Sequence, residues 1–416
     1  MRLHDRDVGP ARCAGGDDHR KRIDSAESCH GPPRDTRRVL RAGRRVSAPI
    51  RVGIVGVNAH RGWAAEGHIP ALRSLPSYEI TALSTTRQES ADAAAAAFDV
   101  RLAFDNHHDL VTSPEVDLVV ITVKVAHHRE IVNAALHAGK AVYSEWPLGM
   151  DLDEAQAMVD LAEQQNARTL VGLQSRSNPA VMYARDLVAA GYIGTVLSTT
   201  LIGSGGLGGK IDQGNSYIVK KENGATLLRI GAAHSIDALN HVLGDFTELS
   251  AVLDTRRPDM VIVESGDRIV KTAPDQVAVI GRLESGATVS FHFRDGHQGG
   301  EMFLWEINGS EGTLQLRAAG GHPGMFAPTI SGSQGDDRLA ELPIPDFYTD
   351  QTPGLEEREG TTSFSVARMY NTFAADMRNG SHNAPDFAQA LRTFRVIEAV
   401  ENAAASGARV FLPKEI

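Results

Sequence analysis

An α/β fold opening with a doubly wound parallel sheet is predicted by three features of the 416-residue sequence. Short β-branched runs alternate with helical segments, the runs are continuously apolar, and the first one enters a glycine turn. Strands covered on both faces by crossover helices read as unbroken apolar runs, and strict strand–helix alternation is the sequence form of βαβ units. The first strand is Ile50-Arg51-Val52-Gly53-Ile54-Val55, ending in Gly56. A strand over 78–84, an Ala-rich helix over 90–98 and a strand over 116–123 follow. Helix 127–138, strand 141–144, helix 153–165 and strand 169–172 complete the alternation.

At about 100–200 residues per domain, the length allows two or three domains. The formal charge is −10, which argues against general nucleic-acid binding, since that affinity comes from basic surface. No apolar run approaches the ~18 residues of a membrane span. Only Cys13 and Cys29 are present, so a disulfide scaffold is excluded, and no Cys/His spacing suggests a metal site. Both lie in a basic tail, residues 1–48, which carries +5 and leaves −15 (−10 minus +5) on the remainder. The tail lacks apolar periodicity and reads as disordered, either a plain extension or a basic nucleic-acid arm. No apolar stretch follows its Arg pairs, as a signal peptide would require, and a cytoplasmic location is expected.

In a doubly wound sheet the first strand-to-helix turn meets a dinucleotide's pyrophosphate: glycines allow close approach and free amides bind the anion. Here the turn is Gly56-Val57-Asn58-Ala59-His60-Arg61-Gly62-Trp63, with Asn58 where the middle glycine usually stands and one added residue before Gly62. Asn tolerates positive φ, so the turn is feasible. The expected cofactor contacts are therefore Gly56, Asn58, Ala59, Arg61, Gly62 and Trp63. At the end of the second strand an acidic residue would select NAD. Ser84-Thr85-Thr86-Arg87 has none; Arg87 can fork onto a 2′-phosphate and the hydroxyls of Ser84 to Thr86 can donate hydrogen bonds, so Ser84, Thr85 and Arg87 are expected cofactor contacts and NADP is favoured over NAD. The alternative is a solvated loop arginine.

Further residues carry a resemblance to the glucose–fructose oxidoreductase/inositol dehydrogenase (Gfo/Idh/MocA) superfamily over about 50–416. They are Glu145-Trp146-Pro147, Gly231-Ala232-Ala233-His234-Ser235-Ile236-Asp237 with His241, and Ile307-Asn308-Gly309-Ser310-Glu311-Gly312-Thr313-Leu314. A closing helix from Phe387 to Ala405 completes them. The turn Gly56–Ala64 and Glu145-Trp146-Pro147-Leu148 resemble its fungal galactose-gene repressor branch. The resemblance implies a Rossmann domain over 49–174 and an α+β substrate and oligomerisation domain over 175–380. The latter would carry a large, mostly antiparallel open sheet with strands near 196–202, 249–253, 276–283, 288–294 and 302–307. A C-terminal helix, 381–416, would pack back on the first domain. It also implies a homodimer or homotetramer, and cofactor contacts from Thr122, Val123, His128, Glu145, Trp146, Pro147 and Gln174, with a cis bond before Pro147.

Active members usually place lysine where Trp146 stands, beside the nicotinamide, and an Asp four residues before the catalytic histidine, where this chain has Ile230. An indole has one N–H donor and does not titrate near neutrality. Only His234 matches. With Asp237 and His241 it has spacing i, i+3, i+7, one helix face. Either His234 is a general acid/base, or the face holds three structural polar residues. Lys124, after the strand 116–123, is a candidate replacement for the missing lysine if desolvated, or a surface lysine. Arg176, Tyr217, Arg229, Asp237 and His241 are candidate substrate contacts, and Gly203–Lys210 is either a mobile loop over the site or a flexible connection.

Two functions follow. One is an NAD(P)-dependent oxidoreductase transferring hydride to or from a sugar, polyol or similar hydroxylated small molecule. The other is a catalytically inactive NAD(P)-binding regulator that docks a partner, as the repressor branch does.

Overall fold

The computed structural model describes residues 48–296, 299–349 and 361–413. The tail and both cysteines lie outside these, apart from Ala48. No described helix is long and apolar enough to cross a membrane.

The first half runs β1 (Ile50–Val55), α1 (Ile69–Arg73), β2 (Tyr78–Ser84), α2 (Gln88–Ala97), β3 (Leu102–Phe104), α3 (His107–Thr112) and β4 (Leu118–Ile121). It continues with α4 (His128–His137), β5 (Ala141–Ser144), α5 (Leu152–Gln164) and β6 (Thr169–Val171). Its six strands are parallel, in the order β3-β2-β1-β4-β5-β6. Leu118, Val119, Val120 and Ile121 are all fully buried, which is why that strand reads as continuously apolar. Side-chain caps start the helices where the sequence offers them: Asn106 accepts from the Asp109 amide ahead of α3, and Asp151 from Glu154 ahead of α5. β3 was not anticipated. At three residues, Leu102-Ala103-Phe104 is too short to show a period.

The second half runs α6 (Pro179–Ala189), β7 (Val196–Ser204), β8 (Lys210–Ile211), α7 (Ala233–Leu243), β9 (Phe246–Asp254), β10 (Asp259–Ile262) and β11 (Arg268–Val270). Then come β12 (Gln276–Leu283), β13 (Thr288–Arg294), β14 (Phe303–Gly309), β15 (Gly312–Ala318), β16 (Thr329–Gln334) and β17 (Ala340–Glu341). It closes with α8 (Ser363–Asn379), α9 (Phe387–Ser406) and β18 (Val410–Phe411). Nine strands form one sheet, β17-β16-β15-β14-β7-β13-β12-β9-β18, antiparallel except where β7 meets β13. Val289, Phe291 and Phe293 share its buried face, as their alternation predicts. β8, β10 and β11 make a small separate sheet.

The last two helices join the halves. α9 packs against α5 and β6 of the first and against β9 and α7 of the second. Phe387, Phe394 and Ile397 thereby enter a core continuous with Val142, Trp146, Phe291 and Trp305. α8 corrects the expected domain division. Its Phe364, Tyr370 and Phe373 are buried with Val52, Ile54, Leu72 and Tyr78 under the parallel sheet, although the boundary at 380 assigns it to the second domain. The reason is apolar complementarity: α8 packs against the continuous helix that runs through Ala64–His68 into α1, burying its aromatic residues beside Ile69 and Leu72.

Candidate functional site

The parallel sheet reverses its strand order between β1 and β4. Ligands of open α/β sheets gather at such a switch point, beyond the strands' carboxyl ends. Here that brings the Gly56–Gly62 turn beside Thr122 and Val123. Gly56 has φ +99°, and a Cβ on it would lie 2.6 Å from the Val123 side chain, so glycine is required. Gly62 has φ +94° and no atom within 4 Å of a built Cβ, so its backbone borders open space. The Asn58 side chain accepts from the His60 amide at 3.0 Å, fixing the turn. The amides of Ala59, Arg61 and Gly62 find no acceptor among the described residues. The helix then begins as a π-turn, Ala64–His68, a widening that recurs at functional sites. Arg61 is exposed and reaches the other half, where its Nη1 lies 3.0 Å from the position of a Gly214 Cβ.

A crevice of about 200 Å³ opens from this turn toward the second half. Of the sequence-derived candidates it gathers Trp63, Thr122, Val123, His128, Glu145, Trp146, Pro147, Gln174, Tyr217 and His234. Four buried polar atoms on its walls have no partner among the described residues: Trp63 Nε1, Gln174 Oε1, His234 Nδ1 and His322 Nδ1. Buried polar groups are nearly always satisfied, and each one left bare costs about 1–3 kcal/mol. These four border this one crevice, where a polar ligand or ordered water would satisfy them. Ser84 Oγ, at the end of β2, is likewise buried and bare.

Other residues here are already engaged. His128 is buried, with Nε2 donating to the Val123 carbonyl at 3.0 Å and Nδ1 3.3 Å from Ser144 Oγ, and burial lowers its pKa. It is part of the floor. Thr122 Oγ1 donates to the Val55 carbonyl at 2.9 Å. Thr85 corrects an expectation: its hydroxyl is held by Arg87 O at 2.9 Å and Ser90 Oγ at 2.6 Å in the first turn of α2, so it faces the helix instead of a ligand. The Arg87 guanidinium is exposed and has no side-chain partner among the described residues.

Glu145 is oriented by a residue that the sequence did not suggest. His68 is fully buried, with Nε2 2.9 Å from Glu145 Oε1 and Nδ1 2.7 Å from the Tyr370 hydroxyl. A carboxylate only accepts, so Nε2 donates to it, while Nδ1 pairs with the tyrosine hydroxyl. Gly172 lies against the same carboxylate, where a Cβ would come within 2.6 Å of Oε2. Trp146 precedes Pro147 through a cis peptide bond, as expected. Its indole N–H donates to the Arg229 carbonyl at 2.5 Å and its ring lies 4.9 Å from that of Phe394. That N–H is unavailable to a ligand.

His234 opens α7 at the crevice and stacks on His322, with centroids 4.9 Å apart and planes 3° from parallel. Both are buried, and burial lowers His234 to about 4 and His322 well below its ordinary value. Both rings are thus neutral at physiological pH. His322 sits in Gly320-Gly321-His322-Pro323-Gly324, and the signal that could have found it is the glycine run. A Cβ on Gly321 would lie 1.6 Å from the Ser204 carbonyl, so glycine lets this loop pack onto the end of β7.

The other helix-face residues do not reach the crevice. At ~1.5 Å per residue, His241 lies about 10 Å along α7 from His234. Arg176 forks onto Asp237 at 2.9 and 2.5 Å, and Asp237, fully buried, also accepts from Gln389 and Thr393. His241 Nε2 accepts from Arg185 at 3.1 Å. Arg229 is held by the Met150 carbonyl and Glu401. These contacts correct the assignment of Arg176, Arg229, Asp237 and His241 to substrate. Lys124 is a further correction: it is exposed, its Nζ 4.8 Å over the Tyr217 ring, so the desolvation its proton-relay role required is absent.

A larger cavity of about 440 Å³ adjoins the crevice and shares Ile230, His322 and Met325 with it. Leu207, Ile218, Leu227, Phe293 and Phe326 line it. The Gly203–Lys210 segment forms one wall and is tied down, with the Leu207 amide donating to Asp295 at 2.7 Å and Lys271 pairing with the same carboxylate at 2.7 Å. Away from these cavities, the fold brings together His107, His108 and Glu130 from α3 and α4, a grouping that no sequence spacing showed.

A doubly wound parallel sheet with a polar crevice at its switch point, joined to a large antiparallel sheet, is an architecture used by dinucleotide-binding proteins, and the relatives narrow the class further. Residues 50–173 match the oxidoreductase family with an NAD-binding Rossmann fold (GFO_IDH_MocA), and residues 179–318 match the Gal80p C-terminal domain. The chain belongs to the GFO/IDH/MocA oxidoreductase family, with a Gal80p-like C-terminal domain. The galactose/lactose metabolism regulatory protein GAL80 of Saccharomyces cerevisiae is 31% identical over 296 residues, 66% of this chain and 68% of that one. Dehydrogenase aclE of Aspergillus oryzae is 32% identical over 285 residues, 65% and 77%. Among solved structures, a super-repressor mutant of S. cerevisiae Gal80p superposes with TM-score 0.78 at 26% identity, covering 88% of this chain and 98% of that one. A levoglucosan dehydrogenase complex with NADH and levoglucosan shares the fold, with TM-score 0.75 at 22% identity over 88% and 100%.

Proposed function

We propose that the chain is an NAD(P)-dependent oxidoreductase acting on the CH–OH or carbonyl group of a sugar, polyol or similar hydroxylated small molecule. The observation that carries this reading is the set of four unpartnered buried polar atoms, Trp63 Nε1, Gln174 Oε1, His234 Nδ1 and His322 Nδ1, around one crevice at the switch point. The dehydrogenases among the relatives support it. The Gly56–Gly62 turn would hold the cofactor's pyrophosphate on its open amides, with Arg87 at the adenosine end and Glu145, fixed by His68, at the nicotinamide end. Arg87 and the absence of an acid at 84–87 support NADP over NAD. When bound, the nicotinamide would supply or accept the hydride.

Burial keeps His234 neutral, so its bare Nδ1 can accept the substrate hydroxyl proton during oxidation. Trp146 contributes no proton, because its N–H is bound to Arg229. Met325 and Phe326, both more than a third exposed, form the mouth of the adjoining cavity where the substrate body would lie. A homodimer or homotetramer through the outer face of the nine-stranded sheet is supported by Val252 and Ile280, which are 64% and 66% exposed on that face. A cytoplasmic location remains part of the same reading.

A specific observation favours a second reading, a regulator that binds NAD(P) without turning over. The engaged indole of Trp146 stands where active members of the family carry a proton-transferring lysine, and GAL80 is among the relatives. A screen of sugars and polyols with NADP and NAD, followed by nicotinamide absorbance, separates the two. Turnover of any one supports the enzyme; saturable cofactor binding with no turnover supports the regulator.

A further inference from the structure

Beneath α8, apart from the crevice, lies a polar cavity of about 230 Å³ lined by three arginines, Arg176, Arg185 and Arg368, with His241, Asn371 and Thr372. Two of the guanidiniums are compensated: Arg176 forks onto Asp237, and Arg185 pairs with Asp186 at 2.8 Å. Arg368 has no such carboxylate. It is 5% exposed, its Nε donates to the Ser177 carbonyl at 2.8 Å, its Nη2 meets the Met182 sulfur at 3.1 Å, and its guanidinium carbon lies 5.8 Å over the Phe364 ring, a contact that eases the buried charge without neutralising it. Its Nη1 is buried and bare, and no carboxylate among the described residues pairs with it. Desolvation alone moves its pKa, down to about 10, still leaving it charged at physiological pH.

A buried charge is retained when it is paired or when a ligand pairs it. Among the described residues, three guanidiniums against two carboxylates leave this cavity one positive charge in excess, on a planar fork suited to an oxyanion. Asn371 and Thr372 add uncharged hydrogen-bonding groups to the same wall. The volume lies below the ~300–1,000 Å³ of drug-sized pockets, so the occupant is small. We propose that this cavity is an anion site, receiving a phosphate or carboxylate group on Arg368. The site is independent of cofactor binding, although Arg176 shares the 3₁₀ turn Gln174–Ser177 with crevice residue Gln174.

The test is thermal unfolding and calorimetric titration of the full chain with inorganic phosphate, citrate and glucose 6-phosphate. Sodium chloride at matched ionic strength and glucose are the controls. Phosphate, citrate or both are expected to bind saturably and raise Tm by several degrees, as a ligand of the folded state does. Glucose 6-phosphate binding in parallel with phosphate would identify the phosphoryl group as what is recognised. Arg368→Met is expected to abolish the gain. Arg87→Ala is expected to leave it intact, which keeps the signal separate from a cofactor-phosphate site. Arg368→Lys, which keeps the charge but loses the fork, is expected to weaken binding at least tenfold. The proposal is overturned if no oxyanion outperforms chloride, or if the gain survives Arg368→Met. It is overturned equally if Arg368→Lys binds as wild type, or if Arg368→Met lowers Tm by the same amount with and without phosphate.

Discussion

The indole N–H of Trp146 donates to the Arg229 carbonyl across 2.5 Å, joining the end of the first domain to the segment that leads into α7. The position that a proton-carrying lysine occupies in active relatives is here a structural tie between domains. Trp146→Phe keeps the ring near Phe394 and leaves the Arg229 carbonyl unpaired. The expected loss is about 1–2 kcal/mol of unfolding free energy, read by urea denaturation, with turnover of any substrate unchanged within about threefold. A tenfold fall in kcat with stability intact would give the indole a chemical role.

His234→Asn removes the one titrating side chain that matches the family's catalytic position. General acid–base groups contribute about 10²–10⁴ in rate, so kcat should fall by that factor while NADP affinity stays within about threefold. Comparable losses in both would make His234 a binding residue only.

Acid should destabilise the fold through this same histidine. The unfolded imidazole has a pKa near 6.5, and burial lowers the folded value to about 4. The unfolded chain therefore binds the proton first, so the stability is complete above about pH 6.5 and is lost as pH falls toward 4. Between pH 7 and pH 5 this amounts to about 2 kcal/mol. Urea unfolding at the two pH values should show His234→Asn losing less than wild type by that amount. Identical losses would mean that His234 titrates normally.

Arg87→Ala tests the cofactor preference. Loss of a charge-assisted contact to a 2′-phosphate costs about 1.5–3 kcal/mol, at least tenfold in Kd for NADP, with NAD affected little. Equal losses for both nucleotides would remove Arg87 from the 2′-phosphate.

Much of this arrangement was legible in the sequence, and the gaps have physical causes. Continuous apolar strands such as Leu118–Ile121 announced the parallel sheet because burial on both faces leaves no polar position. The alternation of Val289, Phe291 and Phe293 announced a half-covered sheet. Gly56, Gly62 and Glu145 stood out because turns and motifs are local. His68 and His322 did not, since their roles depend on Tyr370, 302 residues away, and on a stacked ring contributed by another segment. The helical face of His234, Asp237 and His241 was read correctly as a face. Periodicity gives direction around a helix but not which end meets the cleft, so Asp237 and His241 were assigned to the wrong partner. Arg176 and Arg229 misled in the same way, because an arginine near a cleft looks identical in sequence whether it holds a ligand or a carboxylate such as Asp237 or Glu401.

Both proposed functions require a nicotinamide dinucleotide in the crevice at the switch point. Trp63 and Trp146 line that crevice, so their fluorescence reports its filling directly. Titration of the full chain with NADP and with NAD should quench this emission saturably at sub-millimolar concentration, with NADP the tighter ligand. Emission unchanged by either nucleotide at several millimolar, with no heat of binding by calorimetry, would contradict both.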